Sequence, residues 1–91
     1  MIVIWREDAR SDLLRIIEHI RAENPVAARR IGREILLASD RLAIFPRRGR
    51  PGRVPGTREY AVIRPYIIVH EIHGEDRLDI LNIWHSAQDK P

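Results

Sequence analysis

The chain has 91 residues, no cysteine and a formal net charge of +3 at neutral pH. Its length predicts one domain over residues 1–91, and the lack of cysteine excludes disulfides, thiolate nucleophiles and cysteine-based zinc sites. No run approaches the roughly 18 apolar residues of a membrane span, and the apolar start is shorter than a signal peptide requires, so we expect a cytoplasmic protein without a membrane association.

The first quarter of the chain predicts a strand followed by a helix. Residues 1–5 are a short apolar run that ends in charges, which is typical of a strand. Asp8 or Ser11 can cap the helix. Its apolar stripe at helical spacing is Leu13, Ile16, Ile17 and Ile20. The helix should stop near residues 23–24, because the residue before Pro25 is pushed out of helical geometry.

A second helix is expected from about Pro25 to Ile44, with Asn24 as its cap. Its apolar positions at helical spacing are Ala28, Ile31, Ile35, Leu42 and Phe45. The connection between the helices is so short that they must lie antiparallel as a hairpin.

Three leucines of this hairpin, Leu14, Leu36 and Leu37, fall outside the inner stripes. They are either ordinary surface leucines or part of an apolar patch that a partner covers.

The second half of the chain predicts a loop and three strands. Residues 47–56 are rich in proline and glycine, which indicates a loop. The strand-like runs are residues 57–63, 66–72 and 77–84, and the middle one is apolar on both faces, as in a central strand. The predicted class is therefore α+β: a strand, an antiparallel helical hairpin, then a three-stranded antiparallel meander with the helices on one face.

Positive charge is concentrated around the predicted loop. Residues 47–64 hold six arginines and one glutamate, a local charge of +5, so the remainder of the chain sums to −2. The arginines are Arg47, Arg48, Arg50, Arg53, Arg58 and Arg64. Because a guanidinium binds phosphate or carboxylate oxygens in a bidentate manner, the pattern indicates an anionic partner, and a solvated basic loop is the alternative.

Several local patterns, taken in order, resemble the RelE/ParE family of toxins. They are Ala9 with Asp12-Leu13, Leu42-Ala43-Ile44-Phe45-Pro46, Gly56-Thr57-Arg58-Glu59-Tyr60, Pro65-Tyr66-Ile67-Ile68-Val69-His70, and Leu78 to Asp89 with Trp84-His85. The resemblance implies the toxin of a type II toxin–antitoxin pair on a microbial-ribonuclease-like scaffold. It also implies a cognate antitoxin that forms a hetero-oligomer with the toxin, and operator DNA bound indirectly, through the antitoxin. Leu14, Leu36 and Leu37 are then the predicted antitoxin-binding residues.

The family holds two activities, and the fold alone does not choose between them. RelE-like members are endonucleases that cut mRNA on the ribosome, leaving a 2′,3′-cyclic phosphate, and such cleavage needs a base, fixed positive charge and an acid. Here Glu59 is the candidate base, Arg58 supplies charge and His85 is the candidate acid.

ParE-like members inhibit DNA gyrase without cutting anything. The loop of this chain has arginines where the best-known nucleases use lysines, and no tyrosine follows His85. Gyrase inhibition is therefore the leading hypothesis, with Arg47, Arg48, Arg50, Arg53 and Arg64 as target- or phosphate-binding residues, and mRNA cleavage is the alternative.

A non-toxic nucleic-acid-binding module is the second alternative, and it predicts tight, salt-dependent binding to naked nucleic acid. No cofactor is predicted. No metal site is predicted either, because His70 and His73 flank a hairpin without a third ligand at a suitable spacing.

Overall fold

The computed structural model describes residues 1–86 and confirms the predicted α+β class. In chain order the elements are β1 (Ile2–Trp5), α1 (Glu7–Arg21), α2 (Pro25–Ile44), β2 (Arg50–Pro51), β3 (Arg58–Ile63), β4 (Tyr66–His73) and β5 (Arg77–His85). The last three residues of the closing motif, Ala87, Gln88 and Asp89, lie outside the described residues.

The strands form one mixed sheet in the order β1-β5-β4-β3-β2. The predicted meander of β3, β4 and β5 is antiparallel throughout, whereas β1 lies parallel to β5 at one edge. The two-residue strand β2, which pairs with Arg58 and Glu59, falls within the stretch that the sequence predicts as loop. Proline and glycine composition marks the stretch as irregular, but it does not exclude so short a pairing.

The first helix begins differently from the prediction. Arg6 is its N-terminal flanking residue and makes no side-chain cap, so the expected cap by Asp8 or Ser11 is wrong. The second helix begins as predicted, because Asn24 Oδ1 accepts a hydrogen bond from Ala27 N–H at 3.0 Å and Pro25 occupies the first turn. Since proline lacks an N–H, it costs the helix nothing at that position.

Both helices pack against one face of the sheet, where the core lies. Its buried residues are Ala9, Ile16, Ile35, Ala38, Leu42, Tyr66, Ile68, Leu78, Ile80 and Ile83. The first five residues of β4 are all buried, which confirms the prediction of a central strand covered on both sides. None of the described helices is long and apolar enough to cross a bilayer.

Candidate functional site

Glu59 lies on the face of the sheet that is turned away from the helices. Its neighbour Tyr60 packs against the core, and successive side chains of a strand point to opposite faces. In the sheet, Glu59 lies opposite Val69 of β4 on one side and opposite Arg50 of β2 on the other. We call this surface the open face.

Although it is charged, Glu59 is only 3% exposed, and its two carboxylate oxygens are both occupied. Oε1 accepts from Arg50 Nη2 at 3.1 Å and lies 3.5 Å from Arg53 Nη2. Oε2 accepts from the backbone N–H of Arg53 at 3.0 Å. A buried carboxylate is tolerated only with such partners, because an unpaired buried charge is costly.

Burial by itself would raise the pKa of Glu59. The hydrogen bond from Arg53 N–H, the hydrogen bond from Arg50 and the charges of both guanidinium groups outweigh burial and hold the pKa below its ordinary value of 4.5. At neutral pH the carboxylate is therefore ionised and weakly basic.

Arg53 also connects Glu59 to a more distant strand. Its guanidinium carbon lies 5.4 Å from the ring centroid of Trp84 in β5, within cation–π range. This one side chain spans the open face from β3 to β5, which fixes the loop between β2 and β3 on the sheet.

Two glycines allow this loop to approach the strand closely. Gly49 has φ +90°, and a Cβ at this position would overlap the carbonyl oxygen of Glu59. Likewise, a Cβ on Gly52 would overlap the side chain of Thr57. The glycine-rich composition of this segment therefore has a steric reason beyond turn formation.

A second set of contacts ties the start of the loop to the helix-facing side of the sheet. Arg58 Nη2 donates to the carbonyl oxygen of Gly49 at 2.9 Å. The buried His70 lies opposite Arg58 in β4, with Nε2 3.0 Å from the carbonyl oxygen of Pro46. Since a carbonyl only accepts, Nε2 carries the proton.

Burial lowers the pKa of His70 below its ordinary value of 6.5, and the charge of Arg58 lowers it further, while the Pro46 carbonyl acts in the opposite direction. His70 is therefore neutral at pH 7 and serves as a donor to the loop.

His85 lies on the other side of the sheet from Glu59. It is opposite Tyr66, a core residue, and the two rings meet edge to face with centroids 5.6 Å apart. The intervening Trp84 faces Arg53 on the open face. The structure therefore does not bring together the predicted base and the predicted acid of a nuclease.

The six arginines of the basic segment fall into two groups. Arg50, Arg53 and Arg58 are held by Glu59 or Gly49. Arg47, Arg48 and Arg64 are exposed, and within residues 1–86 none of them forms an ion pair, although Arg48 lies over the ring of Phe45 at 5.2 Å. The guanidinium donors of these three exposed arginines are available to another molecule.

A second buried carboxylate on the open face was not predicted from the sequence. Asp79, 2% exposed, accepts from Arg77 Nε at 3.0 Å and from Arg6 Nη1 at 3.4 Å, and its Oδ2 lies 3.6 Å from Nε2 of His73. An aspartate inside the apolar run of β5 was the available signal, since a buried charge requires partners. No group of three potential metal ligands occurs in the described part of the chain.

The three leucines outside the inner stripes are exposed on the helical hairpin: Leu14 by 62%, Leu36 by 51% and Leu37 by 44%. Leu36 lines a groove between α1 and α2 with a volume of about 620 Å³. The floor of the groove includes Ile17 and Gly32, and its rim carries the arginines Arg21, Arg29 and Arg33. This surface is apolar in the middle and basic at the sides.

Residues 3–90 match the family model described as the ParE toxin of the type II toxin–antitoxin system parDE. The chain is 38% identical over 88 residues to the putative toxin Y4kP of Sinorhizobium fredii, covering 96% of this chain and 90% of that protein. It is 34% identical over 86 residues to toxin RelE2 of Caulobacter vibrioides, covering 94% and 96% respectively.

A solved structure of the chromosomal ParDE system from P. aeruginosa has a similar fold. The TM-score is 0.82 at 27% sequence identity, over 93% of this chain and 95% of the other. The likeness therefore includes the helical hairpin and the sheet that carries the open face.

Proposed function

We propose that this chain, which belongs to the ParE toxin family of type II toxin–antitoxin systems, acts in the cytoplasm by inhibiting DNA gyrase and does not itself cut nucleic acid. The observation that carries the choice of activity is the placement of Glu59 and His85 on opposite faces of the sheet.

Cleavage of RNA through its own 2′-hydroxyl requires a base and an acid on either side of one phosphate. A pair separated by the thickness of a sheet cannot meet that requirement. In addition, the low pKa of Glu59 and the occupation of both its oxygens make it a poor base. These features support an inhibitor that acts by binding.

The same contacts suit a binding surface. Glu59 holds Arg50 and Arg53 in fixed positions, so less side-chain entropy is lost when these guanidinium groups meet an anionic target. Arg47, Arg48 and Arg64 add unpaired positive charge around them, which accelerates association with an acidic partner. We assign these five arginines to target binding.

Membership of the family implies a cognate antitoxin as the partner of this chain. We assign antitoxin binding to the exposed Leu14, Leu36 and Leu37 of the helical hairpin. Leu36 lines an apolar groove with a basic rim, which suits an amphipathic acidic segment. Operator DNA is then bound indirectly, through the antitoxin.

The test is controlled expression of the chain in bacteria, combined with assays on the purified protein. We expect filamentation and DNA double-strand breaks with intact mRNA, and inhibition of DNA supercoiling by purified gyrase. Arg47→Ala with Arg48→Ala should weaken this inhibition, whereas His85→Ala, changed on the other side of the sheet, should leave it unchanged.

Rapid loss of mRNA that His85→Ala abolishes would contradict the proposal and establish a ribosome-dependent nuclease. Nanomolar, salt-dependent binding to naked duplex without any toxicity would instead support a nucleic-acid-binding module. The same set of variants therefore separates the three functions.

A further inference from the structure

Phe45 continues the apolar spacing of α2 in the sequence, yet its ring does not join the core. Ala28, Ile35 and Leu42 of the same series are buried, whereas Phe45 is 55% exposed. The helix ends at Ile44, and Phe45 has φ −124° and ψ 74°, so its side chain leaves the line of the buried stripe. A large aromatic ring therefore faces solvent at this end of the helix.

The backbone that carries this ring is fixed on both sides. Phe45 N–H donates to the carbonyl oxygen of Arg41 at 2.8 Å, and the Phe45 carbonyl oxygen accepts from Arg48 N–H at 3.2 Å. The second bond closes a β-turn in which Pro46 occupies the position that proline favours. The buried His70 then donates to the Pro46 carbonyl oxygen at 3.0 Å. This backbone is therefore held in place before a partner binds.

Two more apolar side chains are exposed beside Phe45. One is Ile44, the last residue of α2, and the other is Met1. The amino group of Met1 donates to the carbonyl oxygen of Ala43 at 3.2 Å, which places the start of the chain at the end of α2. We call Met1, Ile44 and Phe45 the helix-end patch.

Positive charge borders the helix-end patch. The guanidinium carbon of Arg48 lies 5.2 Å from the ring centroid of Phe45, within cation–π range. Arg47 and Arg48 are both exposed, and neither forms an ion pair within residues 1–86. Aromatic rings and arginines are the side chains that most often dominate the binding energy of protein interfaces, and a fixed backbone reduces the entropy lost on binding.

We infer that gyrase binds this chain at the helix-end patch, with Phe45 and Ile44 in an apolar pocket of the enzyme. Acidic side chains at the rim of that pocket pair with Arg47 and Arg48. This rests on the proposed function, since it takes gyrase as the target, and it adds an apolar contact that the arginines alone do not provide. From Leu36 to Ile44 the helix advances by about 12 Å, so the antitoxin groove is a different part of α2.

The chemistry of the helix-end patch favours a protein over nucleic acid. An exposed isoleucine is stabilised by burial against apolar groups, which phosphates and sugars do not supply. Arg48 already lies over the ring of Phe45, so less of the ring is available for a base to stack on. A second copy of this chain is disfavoured too, because a two-fold axis at Phe45 would bring the arginines of both copies together.

The first test measures the Kd for purified gyrase, and the inhibition of DNA supercoiling, for Phe45→Ser and Val26→Ser. Both wild-type side chains are exposed and apolar, and they lie at opposite ends of α2. Phe45→Ser should raise the Kd at least about tenfold because an apolar anchor is lost, whereas Val26→Ser should change it by less than about twofold. Phe45→Ser should keep its melting temperature and its affinity for the coexpressed product of the adjacent antitoxin gene.

The second test separates charge from packing. Arg48→Glu reverses the charge beside Phe45 and should slow association with gyrase at least about tenfold, whereas Arg48→Lys keeps the charge and should slow it by less than about threefold. Added salt should slow association of the wild type and have less effect on Arg48→Glu. Phe45→Leu, which keeps an apolar side chain, should bind gyrase more tightly than Phe45→Ser.

An unchanged gyrase affinity of Phe45→Ser, in a chain whose wild type inhibits gyrase, would overturn the helix-end patch and leave the proposed function intact. Binding of naked duplex DNA that Phe45→Ser abolishes would also overturn it, as would a homodimer that this change dissociates in sedimentation. A wild-type chain that neither binds nor inhibits gyrase would overturn the proposed function and this surface together.

Discussion

Arg53 binds Glu59 twice, through its backbone N–H and through its guanidinium. The first contact fixes the path of the loop and the second fixes the direction of the side chain, which then reaches Trp84. Glu59 is therefore the residue on which the arrangement of the open-face loop depends.

Replacing Glu59 by glutamine should lower the free energy of unfolding by about 1–3 kcal/mol. The amide keeps one acceptor but loses the attraction to both guanidinium groups. Urea denaturation of the purified chain measures the change. Glu75→Gln, at an exposed position in the β4–β5 turn, is the matched control and should be neutral. An unchanged midpoint for Glu59→Gln would show that the ion pairs add nothing to stability.

The contribution of Glu59 should also depend on pH. Because its folded pKa is lowered, its stabilisation is complete above the ordinary value of 4.5 and is lost as the pH falls through the lower folded pKa. The difference in unfolding free energy between wild type and Glu59→Gln should therefore be constant near neutrality and shrink in acid. A difference that persists at the lowest pH would contradict an ionic origin of the stabilisation by Glu59.

Because of His70, stability should also change with pH in a second range, at higher pH than that of Glu59. The unfolded chain takes up a proton near 6.5, while burial and Arg58 keep His70 neutral in the folded chain to lower pH. Stability should therefore be constant above about 6.5 and decrease on acidification towards the folded pKa. In His70→Gln this slope should disappear, whereas in His19→Gln, at an exposed position of α1, it should remain. Unfolding curves between pH 5 and 7.5 test both variants.

Gly49 and Gly74 both have positive φ, at +90° and +64°, but differ in their surroundings. A Cβ at Gly49 would overlap the Glu59 carbonyl, whereas a Cβ at Gly74 would meet no heavy atom within 4 Å. Gly74→Ala should lower the free energy of unfolding only by the cost of the left-handed backbone conformation, about 1–2 kcal/mol. Gly49→Ala should cost more and should also weaken target inhibition by moving Arg50. Equal losses of stability in thermal melts would contradict the steric argument.

Asp12 joins α1 to β5 over a long sequence distance. Its Oδ2 accepts from the backbone N–H of Ile83 at 3.0 Å and from Asn82 Nδ2 at 3.2 Å. Asp12→Ala should lower the free energy of unfolding by about 1–3 kcal/mol, because it leaves the Ile83 N–H without its acceptor. Asp12→Asn should cost less, since its amide oxygen still accepts. The exposed Asp8→Asn is the control, and calorimetry provides the comparison.

Leu36→Glu should weaken antitoxin binding without destabilising the chain, because Leu36 is exposed and lines the groove of the helical hairpin. Loss of a buried apolar anchor at an interface costs at least about 1–2 kcal/mol, or roughly tenfold in Kd. Ile2→Glu changes an equally apolar exposed side chain in β1 and should bind normally. If titration calorimetry gave the same Kd for both variants, the helical hairpin would not be part of the antitoxin interface.

The sequence by itself determined the order and bounds of the main elements. Apolar spacing marked both helices, Asn24-Pro25 marked the start of α2, and the alternation after residue 56 marked the strands of the meander. These signals are local, since they depend on residues within one or two turns. The basic character of the loop and the exposure of Leu14, Leu36 and Leu37 were predictable for the same reason.

Only the tertiary structure decided what those residues can do. The position of β1 beside β5, the burial of Glu59 and Asp79, and the separation of Glu59 from His85 each depend on strand register and on which face a side chain occupies. Residues far apart in sequence meet through the packing of the sheet, and a shift of one residue in register would exchange the two faces. For that reason the sequence named the candidate pair Glu59 and His85, but the fold placed them on opposite sides.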